Sequence, residues 1–192
     1  MKRMEAVPMC PDLRFQNMTE SKLSFDEVFH RILRFIAQDP KAHYQFAIGT
    51  DSQVHRDCTK FITGVIIRRL GKGAWACYRQ VIVPRELTSL REKLSMETSL
   101  SQEIACYFST AEVHQMEELL LPYVYQGAVL ETFIDIDAGT EPYRNKTSLY
   151  VQEMIARVEA MGMYAARVKP DSYCASAYAN RYTKKLGHRQ VM

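Results

Sequence analysis

The sequence predicts an α/β domain on a five-stranded mixed sheet flanked by helices. Three observations carry this expectation: a helical apolar repeat beginning at residue 25, three strand-like segments in quick succession between residues 44 and 83, and strand–helix alternation from there on. A meander followed by such alternation puts antiparallel and parallel strands in one sheet, with helices on its faces. The chain of 192 residues has room for one domain with a sizeable core.

The first 23 residues carry prolines and mixed polarity and are expected to form an N-terminal arm, with residues 24–192 as the domain. Ser24-Phe25-Asp26-Glu27 is a capping box, and Phe25, Val28, Phe29, Ile32, Leu33 and Ile36 follow at helical spacing until Asp39-Pro40. Tyr44–Thr50 alternates with period two, and Lys60–Leu70 and Ala74–Val83 read as a hairpin around Gly71-Lys72-Gly73. A helical pattern covers Glu86–Thr110 and a second covers Glu112–Tyr123. Strand Val129–Asp137 follows, then an amphipathic helix Lys146–Met161 through Leu149, Ile155 and Val158, ended by Gly162. A short strand Met163–Val168 and a helix Ser172–Lys185 complete the chain.

Composition excludes some classes and leaves others open. No apolar stretch reaches the length of a membrane span, and no signal-peptide core follows Met1-Lys2-Arg3, so a cytoplasmic protein is expected. Five scattered cysteines without CxxC pairing read as free thiols, and His55 with Cys58 is half a zinc motif without a second half. The net charge of +3 permits nucleic-acid binding without requiring it. The sequence sets no oligomeric state.

The chemistry lies in the acids. Asp51 ends the first strand, on the face opposite Phe46 and Ile48. Glu97 falls inside the apolar stripe Leu90, Leu94, Ile104, Phe108, where a carboxylate needs a partner; Glu103, nearer the edge of the stripe, is the alternative, and Glu92 belongs to a solvated face. Asp135 and Asp137 share one face of the fourth strand and repel each other unless a cation intervenes. Asp171 opens the last helix, where taken alone an N-cap role explains it better than a ligand role. Oxygen donors of this kind suit hard divalent cations, and two such ions can clamp the attacking and leaving oxygens of a phosphodiester.

The segments Ile48-Gly-Thr-Asp-Ser-Gln53, Arg91-Glu-Lys-Leu94 to Glu97-Thr98, Asp135-Ile-Asp137 and Lys169-Pro-Asp-Ser-Tyr173 resemble the YkuK-type bacterial proteins, which are grouped with ribonuclease H-like nucleases. The resemblance runs from about residue 25 to 187 and implies a ribonuclease H-like fold with a two-metal acidic site. By it, Asp51, Glu97, Asp135 and Asp171 match the superfamily acids, Asp135 better than Asp137. The expected activity is phosphodiester hydrolysis with Mg²⁺ or Mn²⁺: Asp51 bridging two ions, Glu97 and Asp135 on one, Asp171 on the other. Lys169, Arg181, Lys184 and Lys185 would steer a nucleic-acid backbone, or simply form a solvated basic face. Tyr173, Tyr178 and Tyr182 would stack bases, although Tyr178 and Tyr182 fit core packing as well. The rival readings are a non-catalytic nucleic-acid- or protein-binding module, and a phosphotransferase, whose duplicated fold and phosphate loops have no counterpart here.

Overall fold

The computed structural model describes residues 13–141 and 146–184. Its sheet has the order β3-β2-β1-β4-β5, with β1 (His43–His55), β2 (Cys58–Arg69) and β3 (Gly73–Val83) antiparallel, and β4 (Val129–Gly139) and β5 (Ala165–Lys169) parallel to β1. This is the expected five-stranded mixed sheet. Alternation along β1 sends Tyr44, Phe46 and Ile48 to the main core, where α1 (Phe25–Ala37), α2 (Leu90–Tyr107), α3 (Thr110–Leu120) and α4 (Ser148–Glu159) contribute their apolar faces. The opposite face carries Ala47 and Ile66 against Cys174. A Cβ on Gly49 would stand 2.7 Å from the Ala175 backbone nitrogen, so glycine is what lets the last helical segment lie directly on β1.

The Ser24–Glu27 capping box forms, with both reciprocal bonds in place. Residues 13–23 of the expected arm pack into the domain as far as they are described. Leu13, Phe15 and Leu23 are buried, and Gln16 pairs with Tyr78 of β3.

Element ends depart from expectation: β1 runs past Thr50 to His55, still paired with β2, so Asp51 lies inside the strand rather than at its end, and helix ends shift where caps decide them. The helix expected from Glu86 starts at Leu90, because the Ser89 hydroxyl caps it, and Ser109 with Glu112 forms a second capping box that starts α3 afresh. Pro122 turns the end of α3 into a 3-10 turn, Leu121–Gln126. Leu149, expected on the buried face of α4, is 80% exposed; the helix instead buries Val151, Met154 and Val158, whose spacing defines a face that Leu149 misses. The last helix is a π-helical stretch, Cys174–Ala179, followed by α5 (Asn180–Thr183). Lys185 lies outside the described residues.

Two features set the walls of the site. Arg157 of α4 donates to Ser95 (2.9 Å), Ser99 (2.8 Å) and Gln102 (2.9 Å), locking α4 to α2. Where β4 meets β5, Asp135 pairs with Arg167 and Gly139 with Lys169, so four steps along β4 span two along β5. The extra length bulges β4 between Asp135 and Gly139, the stretch that carries Asp137, a local irregularity of the kind that re-aims a side chain.

Candidate functional site

The acids gather beyond the point where β1 stops pairing with β4, at Gly49 and Asp135. Neighbouring side chains on β1 point to opposite faces there. Asp51 turns toward the last helix and accepts from the Thr183 hydroxyl at 2.6 Å. Ser52 turns toward α2 and donates to Glu97 Oε1 at 2.5 Å. Thr50 bonds Ser101 of α2 at 2.8 Å, pinning the helix that presents Glu97. The centre is thus held from both faces of the sheet.

Both carboxyls are buried, Asp51 to 8% exposure and Glu97 to 5%. Burial pushes the pKa of Asp51 up, against the Thr183 bond. Glu97 is pushed to about 8, chiefly by burial, with the Ser52 bond and Lys93 acting against it and the charges of Asp51 and Asp137 adding to it. The charge of Asp137 also acts on Asp51, in the same raising direction. A cleft of about 280 Å³ opens on Glu97 and Asp137 and is lined also by Lys93, Lys146, Lys169 and Leu94.

Asp135 has a different surrounding. Its side chain is fully buried, and both oxygens are taken: Arg167 Nε donates to Oδ1 at 2.7 Å and Nη2 to Oδ2 at 3.0 Å, while the Cys174 backbone N–H donates to Oδ2 at 2.7 Å. The Arg167 guanidinium lies between the Phe133 and Tyr173 rings, 4.3 and 4.2 Å from their centroids. A bidentate pair in this setting joins β4, β5 and the start of the π-helical stretch. Asp171 is exposed in the turn after β5, its N–H donating to Val168, and its charge is felt at Asp135.

The structure therefore puts Glu97 and Asp137 on one cleft, with Asp51 near enough for its charge to act on Glu97, and holds Asp135 apart on Arg167. Glu103, the alternative to Glu97, is on the surface with Arg79 at 2.7 Å, and Glu92 pairs with Arg85. Lys169 is in the cleft; Arg181 and Lys184 are exposed on α5 and just after it. Tyr182 stacks on Tyr78 (4.1 Å) and meets Tyr178 edge-on (5.3 Å), so these rings pack against one another.

Sequence reasoning missed Ser52, Lys93, Lys146 and Thr183. Lys93 carries a usable signal, standing four residues before Glu97 on one helix face. Thr183 carries none, since only the tertiary fold brings it to Asp51.

The donor chemistry suits a hard divalent cation: buried carboxyl oxygens from three elements, and a buried Asp137 Oδ1 that accepts no hydrogen bond, with the Lys169 ammonium 3.1 Å away. Among the described residues, however, no three acidic, histidine or cysteine side chains stand close enough to enclose an ion. No described helix is long and apolar enough to cross a membrane.

Residues 27–184 match the family model described as Ribonuclease H-like. The chain is 43% identical over 176 residues to the uncharacterized protein YkuK of Bacillus subtilis (strain 168), covering 92% of this chain and 100% of that one. No solved structure gives a significant match. With the five-stranded sheet and the matched span agreeing, the chain belongs to the YkuK-type family of ribonuclease H-like proteins.

Proposed function

We propose that this protein is a metal-dependent nuclease whose working carboxylates are Asp51, Glu97 and Asp137. The observation that carries the reading is the grouping of carboxyls from β1, α2 and β4 at a lysine-lined cleft, just past the stretch where parallel β1 and β4 pair. A Mg²⁺ or Mn²⁺ ion held by these oxygens would supply Lewis-acid polarisation of a phosphoryl oxygen and a bound water of lowered pKa. Ser52 and Thr183 fix one oxygen each of Glu97 and Asp51, which sets the orientation of the remaining oxygens. Lys93, Lys146 and Lys169 offset the negative charge of a phosphate backbone entering the cleft. Asp135 is assigned to the scaffold through Arg167, and Asp171 to the turn that begins the last helical segment.

The test is a Mn²⁺-dependent cleavage panel over RNA, DNA, hybrid and branched substrates. Asp51→Asn is expected to reduce cleavage by more than about 100-fold, beyond the loss typical of an outer-shell partner, while leaving nucleic-acid binding in place. The alternative, a nucleic-acid- or protein-binding module that keeps the fold without catalysis, is favoured by the absence of a closed ligand set among the described residues. That alternative gains if Mn²⁺ neither stabilises the protein nor yields cleavage of any substrate.

A further inference from the structure

The ammonium of Lys169 stands 3.1 Å from Asp137 Oδ1, the same buried oxygen that has no hydrogen-bond partner. The contact is thus an ion pair by proximity, made by a side chain that is itself 41% exposed, to a carboxylate that is 16% exposed. Its placement follows from the strand irregularity: the bulge in β4 shifts register so that Lys169 pairs with Gly139, and its side chain meets Asp137 two residues earlier. Lys93 acts in the same sense on Asp51 and Glu97. Lysines of this chain therefore provide the positive charge that a divalent ion would otherwise bring.

We propose that Lys169 is a built-in competitor for the cation: it occupies Asp137 in the resting molecule, and a divalent ion binds only by displacing its ammonium into the cleft. This rests on the reading of Asp51, Glu97 and Asp137 as the cation-binding set. A lysine carries one charge and no vacant coordination site, so it can neutralise Asp137 without polarising a substrate oxygen. The exposed half of its side chain gives the ammonium somewhere to go, since solvent or an anionic ligand in the cleft can receive it. A fully buried lysine would have no such path.

The experiment is calorimetric titration of Mn²⁺ into the nucleic-acid-free protein, comparing the wild type with Lys169→Met and Lys169→Arg. Lys169→Met is expected to bind Mn²⁺ about tenfold more tightly, within the range usual for one coupled site. Lys169→Arg keeps the charge and is expected to stay within about twofold of the wild type. Thermal unfolding of each variant without metal checks that the fold is kept, and the arginine variant carries the comparison if the methionine variant is unstable: an affinity above the wild type's by the same tenfold would contradict competition by charge. Equal affinity in all three proteins, or weaker binding by Lys169→Met, overturns the proposal while leaving the cation site standing. No binding in any of them overturns the site along with the proposal.

Discussion

Replacing Arg167 with Met lowers the unfolding free energy by about 3–5 kcal/mol, the cost of leaving a buried charge without its partner. The magnitude follows from position. Asp135 is fully buried, and Arg167 supplies two of the three bonds that its oxygens accept. The guanidinium also fills the space between Phe133 and Tyr173, so the substitution removes packing as well as charge. Adding Asp135→Leu to Arg167→Met should recover much of the loss, because a buried ion pair is often matched by apolar side chains of similar volume. Chemical denaturation of the single and double variants measures both effects. A loss below about 1 kcal/mol in Arg167→Met would show that Asp135 is not held as described, and would return it to the candidate ligands.

The second large effect is a pH dependence. Glu97 rises from 4.5 to about 8 on folding, so between these values the folded chain binds a proton that the unfolded chain has released. Stability is then greatest below the unfolded value and is lost as pH rises toward the folded one; the slope is negative because the folded state binds more protons. The full excursion is bounded by roughly 5 kcal/mol from the size of the shift. Glu97→Gln removes the titration while keeping the side-chain length and an acceptor for Ser52. In metal-free buffer the variant should match or fall below the wild type at pH 5 and exceed it at pH 8. Parallel curves from denaturation at the two pH values would place the origin of any pH dependence elsewhere.

Much of the fold was legible from the sequence because its signals are local. The capping box at Ser24 and the period-two pattern of Tyr44, Phe46 and Ile48 depend on neighbours a few residues away. So does the glycine turn before β3, where Gly71 and Gly73 adopt positive φ. Asp51 drew notice as an expected strand end, although β1 runs on through it to His55; Glu97 was legible as a carboxylate inside an apolar stripe.

The different surroundings of Asp135 and Asp137 were not legible. Alternation alone puts both on one face with equal claims. What separates them is cross-strand pairing with β5, which sets Arg167 beside Asp135, and the β4 bulge, which brings Lys169 to Asp137. Both depend on residues about thirty positions along the chain, whose register no local pattern records. Leu149 misled for a related reason: its spacing fits a helix, but the docking of α4 on α2 through Arg157 selects a different face.

The most direct measurement is anomalous diffraction from crystals soaked in Mn²⁺. The peak is expected between Asp51, Glu97 and Asp137, with the Lys169 side chain moved off Asp137 and the Arg167–Asp135 pair intact. Mn²⁺ bound at Asp135 or Asp171 instead, or no peak at the three carboxyls at saturating metal, would contradict the proposed centre.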